Sequence, residues 1–232
     1  MHPTDKAARV AGLLYPLMGG PFTFTFMYVL PTLIVPGNAT ATANNILAHE
    51  MLFRVGILGE LLSGVAFIFL VMALYRLLSG VNKRQAWLMV SLVLVSVAIG
   101  FVNVLNSIAA LVLFRGGDFL AAFDKRQLDA LAMFFLHLHG QGFAVNDIFW
   151  GLWLFPFGVL VMRSRFLPRI LGLLLIGNCL AYVVISVTSL LLPAYGNVVF
   201  RASMPALLGE LWIMAWLLIK GVKVQPLPAA AS

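Results

Sequence analysis

The sequence predicts an all-α, polytopic membrane protein: six transmembrane helices in one bundle, with both termini cytoplasmic. Three observations carry this. Hydrophobic residues make up 62% of the 232-residue chain and charged residues only 10%, with a mean hydropathy of +1.02; a soluble domain is about 45–50% apolar and about 25% charged. The apolar residues fall into six runs, each long enough for the roughly 20 helical residues that cross a hydrocarbon core about 30 Å thick. Lys and Arg gather at one set of run ends.

The runs cover Val10–Val35, His49–Leu78, Ala86–Phe114, Leu128–Met162, Pro168–Leu192 and Val199–Val222. Helix is the expected form because lipid-facing backbone groups must be satisfied within the segment. A barrel would show alternation over about ten residues, and these runs show none. No part is long enough for a separate soluble domain, so residues 1–232 read as a single transmembrane domain. In the first run Pro16, Gly19, Gly20 and Pro21 should kink or break the helix near its middle. Such a break suits packing, or it lines a ligand site as in some transporters. The run exceeds the 7–15 apolar residues of a typical signal core, and is expected to be a helix of the mature protein.

Orientation follows from charge. Lys6, Arg9, Arg76, Lys83, Arg84, Arg163, Arg165, Arg169, Lys220 and Lys223 fall on one side, which is ten of the fifteen basic residues; Arg54, Arg115, Lys125, Arg126 and Arg201 fall on the other. The positive-inside rule makes the first side cytoplasmic. The net charge of +7 then reflects this rule and attraction to anionic headgroups. The basic residues are scattered over loops, so no nucleic-acid partner is expected. Cys179 is the only cysteine and allows neither an internal disulfide nor a cysteine metal site. Asn38-Ala39-Thr40 fits a glycosylation acceptor, which matters only in a eukaryotic secretory pathway.

Polar residues inside spans are the informative ones, because charge at mid-membrane is costly and usually faces the bundle interior. Span two brings His49 and Glu50 near the outer interface, Arg54 one turn deeper, and Glu60 near the middle. Span three adds Asn103 and Asn106, and span four His137, His139, Gln141, Asn146 and Asp147. Span five adds Asn178 and Tyr182, and span six Glu210. They cluster in the middle and outer half, as a pocket open to the outside requires. Glu50 and Arg54, four apart on one helix face, also suit an interfacial ion pair, and the asparagines suit interhelical hydrogen bonds.

The stretch "HLHGQGFAVNDIFWG" (137–151) resolves by phase. His137 and Gln141 share one stripe; His139, Asn146 and Trp150 share a second. Gly140, Asp147 and Gly151 share a third, where the glycines let a neighbouring helix approach. The two histidines point about 200° apart, so His-x-His is a weak metal signal. No H-E-x-x-H or Glu-x-x-His pair occurs, and no metal site is expected. No residue pattern names a cofactor or an oligomeric state.

The pieces "ARVAGLLY", "ATANNILAHEMLFRVGI", "ALYRLLSGVNKR", "GLWLFPFGVLVMRSRFLPRILGLLL" and "PALLGELWIMAWLLIKGVK" occur in this order along nearly the whole chain. Together they resemble the bacterial integral membrane proteins grouped as domain of unknown function 4386. The resemblance implies a compact multi-helix protein of the bacterial inner (plasma) membrane, and implies no particular reaction.

Three function classes remain open. One is a binding or transport-like protein with an outward-facing polar pocket for a small or amphipathic ligand, using Arg54, Asn103, Asn106, His137, His139, Gln141, Asn146, Asp147 and Tyr182. The second is an intramembrane enzyme, since unpaired carboxyl groups in low dielectric favour the neutral form; Glu60 and Glu210 would then be general acids acting on a lipid-like or isoprenoid substrate. The third is a structural or accessory subunit. Both glutamates lie about ten residues, hence about 15 Å, from the outer end of their helices. They are expected to share one environment with at least one of Arg54, His137, His139 or Gln141.

The orientation is checked by single cysteines at Asn38 and Gln85 in intact cells. An impermeant thiol reagent should label the first and spare the second; labelling of the second alone would invert the topology.

Overall fold

The computed structural model describes residues 3–222. Lys223, counted above among the cytoplasmic charges, lies outside the described residues. Those residues form ten α-helices: α1 (Pro3–Phe24), α2 (Leu30–Leu33), α3 (Ala39–Ala48), α4 (Glu50–Leu78), α5 (Lys83–Arg115), α6 (Lys125–Leu152), α7 (Leu154–Arg163), α8 (Arg169–Leu191), α9 (Gly196–Leu207) and α10 (Gly209–Ile219). Six stretches among them are long and apolar enough to cross a membrane: Lys6–Leu33, Glu50–Leu78, Lys83–Arg115, Lys125–Arg163, Arg169–Leu191 and Pro193–Ile219. These are the six runs of the sequence, with ends shifted by a few residues.

Side-chain caps explain several of the starts. The Asn38 side chain accepts from the Ala41 N–H at 2.9 Å and starts α3; Asn82 does the same for the Gln85 N–H at 3.0 Å and starts α5. At α6 the exchange is reciprocal. The Gln127 N–H donates to Asp124 Oδ1 and the Asp124 N–H to Gln127 Oε1, both at 2.9 Å, which satisfies two donors that a helix start leaves free. At the other end of α5, Gly116 takes a φ of +68° and Gly117 one of +152°, the left-handed conformations that stop a helix without a Cβ penalty.

Four local features differ from the sequence reading. The first span keeps α-helix through Pro16 and Pro21, and its irregularity comes one turn later, as a π-helical turn at Thr25–Val29. There the Thr25 hydroxyl shares its hydrogen between the Pro21 carbonyl and, across to α4, the Gly56 carbonyl, both at 3.1 Å. Back-bonding of this kind competes with the helix ladder. The segment expected to be an outer loop contains helix α3, whose Thr42, Ala43 and Ile46 are buried. The fourth span is interrupted at Trp153 and the sixth at Leu208. Pro156 and Pro205 lie just beside these points and each lacks the N–H that would continue the ladder.

The chain divides into two compact units. The first comprises the described parts of Met1–Tyr15, Ile68–Leu94 and Asp147–Ser232. In it α7 and α8 cross at two glycines: a Cβ on Gly158 would lie 2.7 Å from the Gly172 carbonyl, and one on Gly172 would lie 2.6 Å from that of Gly158. Trp153 and Phe157 stack beside this crossing, with centroids 5.4 Å apart. The second unit comprises Pro16–Phe67 and Val95–Asn146. Its apolar core gathers Val29, Leu33, Ile46, Phe53, Phe114 and Leu136. Large apolar side chains such as Met27 (76% exposed) and Phe69 (60%) point outward, as a lipid-facing surface requires.

Gly172→Val should therefore lower the Tm of the purified protein in detergent, at the cost of about 1–3 kcal/mol that overpacking carries. Gly177→Ala, which meets open space, should leave it unchanged. Equal melting of both variants would contradict the α7–α8 crossing.

Candidate functional site

In the second unit, spans two and four bring an acid and a base together in the interior. His139 Nε2 lies 3.0 Å from Glu60 Oε2, and the two side chains are 4% and 7% exposed. The backbone that carries His139 is held from α5. The Asn103 amide donates to the His139 carbonyl at 2.9 Å, and Asn106 donates to Asn103 Oδ1 at 3.1 Å. This approach needs a glycine: a Cβ on Gly142 would overlap the Asn103 amide. The His139 ring meets the edge of Phe143 at 4.8 Å, and Phe143 in turn packs edge-on against Phe26 at 4.6 Å and Phe22 at 5.8 Å. One side of the imidazole is therefore aromatic while its Nε2 faces a carboxyl group.

Beside Glu60 lies a narrow crevice lined by Thr25, Phe53, Gly56, Ile57, Glu60 and Ser107 together with Val29 and Leu30. No part of it is wide enough for a water-sized sphere. Span one forms one wall through its π turn, and α4 admits it through glycines. A Cβ on Gly56 would lie 3.1 Å from Val29 Cγ1, and one on Gly59 would lie 3.1 Å from Thr25 Oγ1.

The remaining expected residues of this unit separate by exposure. Asn146, seven residues after His139 on the same stripe, is 3% exposed and its Oδ1 has no hydrogen-bond partner. His137 and Gln141 lie on the exposed stripe, with His137 Nε2 and Gln141 Nε2 3.5 Å apart. Arg54 is exposed and binds Glu50 at 2.7 Å, and Arg115 adds a second contact to Glu50 at 3.5 Å; this is the interfacial ion pair. Of the glycines on the third stripe, Gly140 meets open space and Gly151 is tightly packed.

Asp147, Tyr182 and Glu210 belong to the first unit, so Glu60 and Glu210 fall in different units. Two close contacts set the geometry around α8. A Cβ on Gly151 would lie 2.8 Å from the Cys179 carbonyl and 3.0 Å from Tyr182 Cβ, and one on Gly209 would lie 2.7 Å from the Leu174 carbonyl. Asp147 lies one turn before Gly151, and Glu210 lies next to Gly209, on the two elements that these glycines pack against α8. The interruption at Leu208 exposes the Leu207 carbonyl, which accepts from Asn178 Nδ2 at 3.4 Å. Tyr15, not singled out in the sequence, is 3% exposed with no partner for its hydroxyl.

Sequence reasoning also passed over Thr25 and the buried serines Ser63, Ser96 and Ser107. The spacing Ser96, Gly100, Asn103, Ser107 at four, three and four residues was the available signal. Among the described residues no three His, Cys, Asp or Glu side chains come together as a metal-holding group.

A family model described as a domain of unknown function, DUF4386, matches residues 10–221. The chain belongs to the DUF4386 family. No curated protein and no solved structure matches it. This DUF4386 member is, by its six spans, a multi-pass membrane protein, and the acid–base pair lies within the matched region.

Gly142→Ala should displace the Asn103 amide and lower the Tm in detergent by the equivalent of about 1–3 kcal/mol, whereas Gly140→Ala should have no effect. A silent Gly142→Ala would show that Asn103 does not hold α6 at His139.

Proposed function

We propose that the protein binds a small or amphipathic ligand within the membrane, in a binding or transport-like role, and that the Glu60–His139 pair is the polar centre of the site. The reading takes both termini as cytoplasmic, which puts the pair in the outer half of the membrane and the crevice on the outward side. The observation that carries it is the 3.0 Å approach of two titratable side chains, each more than nine-tenths buried. Ionisable groups inside spans are costly and mark ligand or proton pathways. The crevice beside Glu60 supports the same reading, because it is walled by a π turn, a form common at functional sites. In the closed arrangement it admits no water, so entry of a ligand requires that turn to move.

A second reading, a subunit whose polar groups only tie helices together, is favoured by Asn103, whose amide nitrogen and oxygen are both engaged. It fits the rest of the unit less well, because Ser63, Ser96, Ser107 and Asn146 each bury an atom without a partner.

A photoactivatable fatty acid, cross-linked to the full chain in nanodiscs, tests the proposal. Cross-links should map to the peptides carrying Phe53–Glu60 and Asn103–Ser107, and should fall in Glu60→Gln. Labelling confined to outward positions such as Met27, Leu62 and Phe69, and unchanged in Glu60→Gln, would refute it.

A further inference from the structure

Beside the Glu60–His139 pair runs a stripe of polar groups on α5, along which packing leaves Ser107, Asn146 and Ser96 each with an unsatisfied atom. Ser96, Gly100, Asn103 and Ser107 share one stripe of α5. Ser107 is 1% exposed, its hydroxyl has no partner, and it lines the crevice together with Glu60. Four residues on, Asn103 holds the His139 carbonyl. A Cβ at Gly100 would lie 3.8 Å from Asn146 Nδ2, so the Asn146 amide rests on the same stripe with its Oδ1 unpaired. One turn further, Ser96 is 1% exposed and its hydroxyl is also unpaired. Buried polar atoms are normally satisfied, and those that are not call for bound water or a function. A hydroxyl can accept one hydrogen and donate another, and a carboxyl–imidazole pair can hold one.

We propose that Glu60–His139 is a proton-exchange site and that the α5 stripe from Ser107 to Ser96 is its path, with water as the carrier between the fixed groups. The step is a single proton transfer. A proton delivered to a Glu60 carboxylate oxygen takes the pair from carboxylate plus neutral imidazole, charge −1, to carboxylic acid plus neutral imidazole, charge 0, and its departure restores the first state; the O–H bond formed on Glu60 is matched by the O–H bond broken on the delivering water. The side chains that meet the pair from span one and α5 are uncharged: Thr25 Oγ1 stands against α4 at Gly59, next to Glu60, Ser107 shares the crevice with Glu60, and Asn103 bonds the His139 backbone. On α4 the nearest charged groups are Arg54 and its partner Glu50 toward the outer end. On α6 they are Asp147, eight residues from His139 and so about 12 Å away along the helix, and Asp129, paired with Lys125, ten residues and about 15 Å away; the His137 ring lies on the exposed stripe. The pair's charge is therefore answered mainly by the proton it shares. The Thr25 tie to Gly56 keeps the crevice closed, and the π turn is the element that opens it.

This inference deepens the reading above by naming the proton as one species the same site takes, and its test is separate. Infrared difference spectra of the full chain in nanodiscs, recorded as the pH is lowered, should show a carboxylic C=O band that is lost in Glu60→Gln. Its midpoint should shift in His139→Gln, a variant that keeps Glu60 and so serves if the first fails to fold. After transfer to D2O, the deuterium shift of the band should slow several-fold in Ser107→Ala and Asn146→Leu with its amplitude kept, and quicken in Thr25→Val. A band of equal amplitude in Glu60→Gln, or no pH-dependent band in the parent chain, would overturn the site. Unchanged exchange in both Ser107→Ala and Asn146→Leu would overturn the path. Fatty-acid cross-linking in the crevice without such a band would leave the ligand reading standing and remove this one.

Discussion

The interior of the second unit depends on the contact between His139 and Glu60. A carboxyl group carried to mid-membrane has no water to solvate it, and an unpaired charge there is far costlier than any single packing contact. The imidazole answers it at 3.0 Å, but only because α6 is fixed at the right height. Asn103 provides that fixing by holding the His139 carbonyl, and Gly142 makes room for Asn103. Phe143, one turn after His139, closes the other side of the ring against Phe22 and Phe26. Four elements are thus adjusted around one acid–base contact. Removing one partner of a buried pair typically costs about 3–5 kcal/mol, which is why so much local structure converges there.

Glycine sets the other constraint. Without a hydrophobic driving force between helices in lipid, close approach supplies the packing energy. In the first unit Gly151, Gly158, Gly172 and Gly209 each bring a backbone within contact of a neighbouring carbonyl or side chain. In the second, Gly56 and Gly59 admit span one and Gly142 admits Asn103. These positions decide which polar side chains can meet. Gly151 and Gly209, which meet α8, stand one turn and one residue away from Asp147 and Glu210.

Much of the architecture was legible in the order of residues. The six spans follow from apolar runs, since a lipid solvent demands length and internal backbone bonding whatever the packing. The division of the fourth span into stripes follows from helical phase, and His139 and Asn146 are buried together on one of them; His137 and Gln141, expected in the pocket, instead lie on an exposed stripe. The Glu50–Arg54 pair follows from a spacing of four. Local competition for the backbone was not legible. Pro16, Gly19, Gly20 and Pro21 suggested a kink or break, and α-helix runs through all four, while Thr25, an ordinary residue by composition, begins a π turn with its hydroxyl on two carbonyls, one of them on another helix. Ser96 and Ser107 were passed over because a serine inside a span usually bonds its own helix and carries no sign of being unpaired.

The sequence by itself therefore determined the solvent, the number of crossings and the grouping of polar residues into stripes along each helix. All of these depend on composition and period along one chain segment. Only the tertiary structure decided that Glu60 meets His139, that Arg54 and Arg115 are both spent on Glu50, and that Glu60 and Glu210 belong to different compact units. Those outcomes depend on rotation and height of one helix against another, and these are set by close contacts at Gly56, Gly59 and Gly142 between residues far apart in the chain.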